Sequence, residues 1–337
     1  MIRAVAALLA ALALAPAAAA APRAVVAHGR IELDGRPFFP ILQWLQCPSV
    51  MDESVRLGVD VFLGNGCRNS DADELAATAS RHVWSVLEAP ASATGPSLLG
   101  WHFQDEPDGN GTPPAAIARR YARVRGRGVS FLTVTADFAS WSKRRSPALY
   151  RAYARATDVI GTDVYPVTGW CRPDWLPRVG ETQRELVRLA GGRPTFQWIE
   201  AESTSTRWCT GRGVTAPELR AEVWDAIANG AKAIGYFTHS WRPDYSQFRV
   251  SPPVQAEMRR TDTQIRAFAP AILGTPLPLR VDWRGGRVDA IARRAGGRTY
   301  VFAVNVARTP ATATLAFAGR TLRIALPPLG VRVGPVG

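Results

Sequence analysis

Asp105 and Glu106 stand side by side in GWHFQDEPDG, the stretch from Gly100 to Gly109. Glu200 and Glu202 stand in RPTFQWIEAES, much further along the chain, and Asp163 lies between them in DVIGTDVYP. Adjacent acids repel unless something uses the arrangement. Hydrolysis of a glycosidic bond is one such use. It needs a protonated carboxyl to assist the leaving oxygen and a second carboxylate that attacks or activates water. Glu106 and Glu200 can supply that pair. Glu202 competes with Glu200, and Asp163 is a third candidate; a Glu106–Asp163 pair would suit inversion. One carboxylate facing another in a semi-enclosed cleft has its pKa raised, which keeps a proton available near neutral pH. Pro107 biases Glu106 toward extended backbone and stops the strand before it. Asp105 is then expected to point elsewhere, as a hydrogen-bonding brace.

Aromatic side chains accompany the acids. Trp44, Trp101, Tyr165, Trp170, Trp198, Trp208 and Trp241 offer flat surfaces for sugar rings, whereas Trp84, Trp224 and Trp283 read as packing residues. Gln43, Asn65 and His239 are further candidates for contact with sugar hydroxyls. No His/Cys/Asp cluster has ligand spacing, so neither a metal nor a cofactor is expected.

These residues fall at the ends of apolar runs. The runs near 41–46, 58–66, 82–88, 97–106, 130–136, 158–166, 194–203 and 231–241 are continuous rather than alternating, as parallel strands covered on both faces require. Helical segments separate them. Ser70 is a cap, Pro113-Pro114 and Ser146-Pro147 open helices, and Thr215 with Glu218 forms a capping box. Eight strand–helix units over this length predict a (β/α)8 TIM barrel, in which chemistry gathers at the C-terminal ends of the strands. A doubly wound sheet usually carries a glycine-rich phosphate loop after its first strand, and none is present. Past Pro270, short alternating strands joined by Gly-Gly, Thr-Pro and Ala-Gly turns predict a small β-sandwich. The expected division is a barrel over 24–270 and a sandwich over 271–337.

The order of LGWHFQDEPDG, DVIGTDVYPV, RPTFQWIEAES and AIANGAKAIGYFTHSW resembles the TIM-barrel glycoside hydrolases with catalytic carboxylates on strands four and seven. Those enzymes commonly carry Asn-Glu-Pro at strand four; the Asp-Glu-Pro here is similar to poorly characterised subgroups. The resemblance covers roughly Gly29 to Phe268. It implies a retaining glycosidase with Glu106 as acid/base and Glu200 as nucleophile. Two rival readings remain: a carbohydrate-binding pseudoenzyme, and a polysaccharide lyase acting on acidic glycans.

The chain has 337 residues and a formal net charge of +13, almost all of the basic residues being arginine. The arginines are not gathered into one run, which points to a solvated basic surface and not to a nucleic-acid partner. An acidic polysaccharide stays open as substrate. Arg3, the Ala/Leu run after it and the alanines around Ala20 read as a secretory signal over 1–20; the competing membrane anchor would be short for a bilayer. A secreted monomer acting on an oligo- or polysaccharide is expected. The four cysteines then favour disulfides. On a barrel, Cys47 and Cys67 follow neighbouring strands, as do Cys171 and Cys209, so those two bridges are expected.

Overall fold

The computed structural model describes residues 24–90, 92–204 and 210–337. The expected signal segment therefore lies outside the described residues, as do Trp208 and Cys209, and with Cys209 the expected Cys171–Cys209 bridge.

Three short antiparallel strands open the fold: β1 (Ala24–Ala27), β2 (Arg30–Leu33) and β3 (Arg36–Phe38). Strands and helices then follow as β4 (Ile41–Gln46), α1 (Pro48–Leu57), β5 (Val61–Asn65), α2 (Asp71–Ala79), β6 (Trp84–Glu88), β7 (Leu98–His102), α3 (Pro114–Val124) and β8 (Val129–Val134), alternating except between β6 and β7, where the described residues form no helix, unlike the expected separation of every strand pair. They continue through α4 (Pro147–Arg155), β9 (Val159–Asp163), α5 (Arg178–Ala190), β10 (Thr195–Glu200), α6 (Ala216–Ala228), β11 (Ala233–Phe237) and α7 (Pro252–Ile272). Strands β4 to β11 pair in parallel and close into a barrel, with β11 returning to β4. This is a TIM barrel.

The local chemistry follows the sequence. Ser70 Oγ accepts from the Asp73 amide at 3.1 Å, and three acids occupy the first turn of α2, facing the positive end of its dipole. Glu218 bonds back to the Thr215 amide at 2.9 Å to start α6. Strand residues fill two layers. Leu42, Val61, Leu63, Val86, Phe131 and Phe196 pack inside the ring, while Phe62, Leu132, Ile160 and Ile199 pack outward beneath the helices.

Helix α7 runs through Pro270 to Ile272, so the change of texture comes slightly later than the sequence indicated. Beyond it lie β12 (Thr275–Leu277), β13 (Leu279–Gly285), β14 (Val288–Ala295), β15 (Arg298–Asn305), β16 (Ala311–Phe317), β17 (Arg320–Leu326) and β18 (Val331–Val336). They form two antiparallel sheets, β12-β14-β15-β18 and β13-β16-β17. One apolar cluster draws Val301 and Ala303 from the first sheet and Leu315, Phe317 and Leu326 from the second. The first sheet also packs on the barrel: Trp224 of α6 stacks on Phe302 of β15 with ring centroids 5.9 Å apart. Two ion pairs, Arg287–Glu181 at 2.6 Å and Arg184–Asp289 at 2.7 Å, flank that joint.

Cys47 and Cys67 are bridged, as expected from their loops. The bridge joins the loop after β4 to the loop after β5, both on the rim formed by the C-terminal ends of the strands. It closes a segment with a sequence separation of 20. A chain-entropy argument gives about 3 kcal/mol of stabilisation for a loop of that size. The double variant Cys47→Ala/Cys67→Ala should therefore unfold at lower urea concentration, with a loss of about 3 kcal/mol, measured by circular dichroism on the oxidised wild type and the variant.

Candidate active site

A cleft of about 220 Å3 opens at the C-terminal ends of the barrel strands. Its lining is Trp44, Asp105, Glu106, Thr133, Asp163, Tyr165, Trp198, Phe237 and Trp241. Seven of these are residues singled out from the sequence; Thr133 and Phe237 are not. Thr133 was hidden because a threonine inside an apolar run carries no signal of its own. Its hydroxyl accepts from Trp198 Nε1 at 2.9 Å and fixes that indole. Gly235 on the adjacent β11 makes the placement of Trp198 possible, since a Cβ there would come within 2.3 Å of the indole ring.

Strand β7 ends at His102, earlier than expected, and Asp105 and Glu106 lie in the bend beyond it. Glu106 is not extended. Its φ is +42°, in the left-handed region, where a non-glycine residue before proline is strained. The turn compensates: Asn110 Nδ2 donates to the carbonyls of both Asp105 and Glu106 at 3.0 Å, and the Asn110 amide donates to the Glu106 carbonyl at 3.0 Å. The bracing role expected of Asp105 belongs instead to Asp108. Its carboxylate accepts from the Thr135 amide at 3.1 Å and from the hydroxyls of Thr135 and Tyr150. Asp105 faces the cleft.

Glu106 and Asp163 are in side-chain hydrogen-bond contact. Asp163 Oδ1 is buried and meets no N–H or hydroxyl donor. Two carboxyls in contact therefore share a proton. Burial pushes the Asp163 carboxyl well up, and the charge of Glu106 pushes it further. Burial also raises Glu106, although its hydrogen bond from Asp163 works against the rise. The shared proton accordingly rests toward Asp163. Asp105 is pushed up to about 7, first by burial and then by Glu106 and Asp108. Tyr165 beside them stays a neutral phenol, its pKa raised by burial and then by Asp163.

Glu200, expected to pair with Glu106, does not line the cleft. It is wholly buried at the end of β10, where it accepts from the Val167 amide at 2.8 Å, the Thr168 amide at 2.6 Å and the Thr168 hydroxyl at 2.5 Å. Its carboxyl also contacts Glu222 of α6. Glu202 is buried next to it, with Oε2 on the Ala201 amide at 3.1 Å, and is likewise outside the lining.

Other expected contact residues are also elsewhere. Gln43 is buried and donates to Thr238 Oγ1 at 3.0 Å. Asn65 donates to Asp71 at 2.7 Å, bracing the loop into α2. Trp101 is buried with its indole on the Arg127 carbonyl at 3.2 Å. Trp170 is exposed beside the cleft loop, packed with Trp141 and Trp175. His239 sits just behind the lining. Burial drops its pKa to about 4, so its ring is neutral; Nε2 lies 3.0 Å from the Trp44 carbonyl and Nδ1 3.0 Å from the Tyr245 hydroxyl. That arrangement secures Trp44. Gln46, which the sequence reading passed over, adds a bond to the same carbonyl at 2.9 Å.

No family model and no curated protein matches the sequence. Solved structures do share the fold. A catalytic mutant of Gan42B, a GH42 β-galactosidase from G. stearothermophilus, aligns with a TM-score of 0.59 at 9% identity over 88% of this chain and 98% of that one. A glycoside hydrolase aligns with a TM-score of 0.56 at 12% identity over 93% of both chains. A β-galactosidase from Rahnella sp. R3 aligns with a TM-score of 0.51 at 12% identity over 69% of this chain and 56% of its own. At these identities the likeness is one of fold.

The raised carboxyl of Asp163 has a consequence for stability. Folding favours its neutral form, so its contribution is fully present below the unfolded pKa, about 3.9. It is lost as pH rises from there through the folded value. Asp163→Asn should therefore lose less stability than wild type between pH 4 and neutrality, as read from urea midpoints across that range.

Proposed function

We propose that the protein hydrolyses glycosidic bonds in this cleft, with Glu106 and Asp163 as the working carboxyls. The observation that supports this is their contact around one shared proton, in a recess walled by Trp44, Trp198 and Trp241. The reaction asks for one neutral carboxyl and one ionised carboxylate flanking the bond, about 5–10 Å apart, so the two carboxyls, which touch here, have to part as the sugar enters between them. Here Asp163 carries the proton to the leaving oxygen, and Glu106 is the carboxylate that acts on the sugar or its water. Glu106 thus exchanges roles with the acid/base assignment that the strand-four motif implies. Asp105, poised to ionise near neutrality, orients sugar hydroxyls. Neutral His239 keeps Trp44 in place as a stacking wall. Glu200 is a positioning residue that anchors the loop following Asp163 and bearing Tyr165, which leaves a retaining mechanism through Glu200 without support. Barrel neighbours that are glycoside hydrolases make the reading consistent at the level of fold. We read the two C-terminal sheets as an accessory sandwich and the disulfide, with the N-terminal apolar run, as marks of export.

The capture of Glu200 also favours one rival, a pseudoenzyme that binds sugar without cleaving it, and turnover separates the two. Aryl glycosides and polysaccharides should be screened with wild type, Glu106→Gln, Asp163→Asn and Glu200→Gln. The first two variants should lose about 10²–10⁴-fold in kcat, while Glu200→Gln should keep more activity than either. Equal turnover by wild type and Glu106→Gln, or a greater loss in Glu200→Gln than in Asp163→Asn, would refute the assignment. An unsaturated product absorbing in the ultraviolet would indicate lyase chemistry instead.

A further inference from the structure

The rim of the barrel gathers carboxyls, and its opposite end holds a junction of the other sign. Strands β1 to β3 close that end. Ala24 and Ile31 pack there among Val61, Val129, Val159 and Ala233, each the first residue of its barrel strand. Lys232 stands just before β11, where its amide donates to the Thr195 carbonyl at 2.7 Å.

Two guanidinium groups lie close enough for their charge to act on the Lys232 ammonium. Arg30 comes from β2 and has partners of its own, Glu32 at 2.9 Å and the Leu273 carbonyl at 3.4 Å, just past the end of α7. Arg293 comes from β14. Strand alternation sets its direction. Asp289 meets Arg184 of α5 and Ile291 packs on the barrel core, so Arg293, two residues further, faces the barrel as well. The end of α7 abuts the same strand: a Cβ on Gly274 would come within 2.5 Å of the Arg294 carbonyl oxygen.

Arg293 is only 9% exposed, and its Nε is enclosed with no partner. Among the described residues neither Arg293 nor Lys232 forms an ion pair or a side-chain hydrogen bond. The acids of the neighbouring strands are already engaged, Glu32 by Arg30 and His28, and Asp289 by Arg184. Burial lowers the Lys232 ammonium to about 7, and the charges of Arg293 and Arg30 push the same way. Burial lowers Arg293 too. A buried cation without a counter-charge is strongly destabilising. A lysine can relieve the cost by losing its proton, whereas a guanidinium stays charged.

We propose that Lys232 and Arg293, with Arg30 beside them, form a binding site for a small divalent oxyanion of the phosphate class. Two unpaired cations ask for two negative charges. A guanidinium presents parallel N–H donors that match such an oxyanion, and the ammonium adds a point charge. The burial of Arg293 argues against a polymer, because a nucleic acid or a polysaccharide could not carry its backbone to an enclosed Nε. Lys232 is only partly buried, so a small ion enters on its side. Bound there, the ion ties together the opening strands, the barrel and the first C-terminal sheet. The inference does not depend on the reaction in the cleft.

The test uses the whole chain and inorganic phosphate, with sulfate as a second oxyanion and chloride at matched ionic strength as the reference. Calorimetric titration with phosphate should saturate. At roughly ten times its Kd, phosphate should raise the melting temperature by about 2–4 °C over chloride. Both oxyanions also stabilise proteins by exclusion from the surface, so the variants decide. Lys232→Met and Arg293→Met should each lose the saturable part of the rise. In chloride they should melt no lower than wild type, because each removes an uncompensated charge. Lys232→Arg keeps the charge and should keep the rise. Arg119→Gln/Arg123→Gln, on the exposed face of α3, should keep it too. An equal rise in wild type and both methionine variants, a titration that does not saturate, or a marked fall in the chloride melt of either methionine variant would overturn the proposal.

Discussion

Two carboxyl groups can rest against each other only when a proton lies between them. Much of the rim can be understood from that constraint. Glu106 reaches Asp163 from a bend and not from a strand, and the bend needs left-handed backbone at a residue where it costs on the order of 1–3 kcal/mol. Such a conformation persists only if its surroundings over-determine it. Asn110 closes the turn from one side, and Asp108 ties it to Thr135 and Tyr150 from the other. Asp108, the third acid in DEPDG, is thus as necessary to the geometry as the first two. Asp108 bonds the protein, which frees Asp105 and Glu106 to face the cleft.

Asp163 is positioned by a different device. It ends β9, and the loop after it must turn outward while keeping Tyr165 over the cleft. Gly169 and Trp170 donate to the Tyr165 carbonyl at 3.1 and 3.0 Å. The segment between them would leave the amides of Val167 and Thr168 buried without partners, which is costly. Glu200 supplies both acceptors. The strand-seven acid therefore sets the path of the strand-six loop, and its burial beside Glu222 follows from that task. A carboxylate with three donors and an acidic neighbour is stabilised where it is, and turning it into the cleft would strand two amides.

Legibility in the sequence divided along physical lines. The barrel could be read because each strand is an apolar run and each helix announces its start, as Ser70, Pro114 and Thr215 do. The rim could be read because a strand end is also a chain position, which is how Trp44, Glu106, Asp163, Tyr165 and Trp241 were found. Side-chain direction past a strand end could not be read. Asp108, and not Asp105, braces the turn because a left-handed residue resets the alternation after it, and residue type does not reveal φ when the residue is glutamate. Glu200 shows a related limit: an acid at a strand terminus serves equally well as a catalyst or as a cap for a neighbouring loop, and residue type does not reveal the amides it meets. Trp283 was misjudged because an edge strand exposes even inward positions.

The two halves of the charge distribution bear on one another. A formal count treats every acid as ionised, but burial holds Glu202, Glu222, Asp225 and Asp262 well above the ordinary carboxylate range and lifts Glu74 to about 8. At neutral pH the barrel is less negative than its composition implies, and the molecule as a whole is more basic. Long-range attraction of any polyanion then belongs to the entire surface. The same effect operates in the cleft. Three fully ionised acids would repel a uronate-bearing chain. With a proton shared by Glu106 and Asp163, and Asp105 poised near 7, the cleft carries a smaller negative charge. On the proposed reading of the cleft, the proton that lets two acids touch would also lower the electrostatic barrier to an acidic substrate.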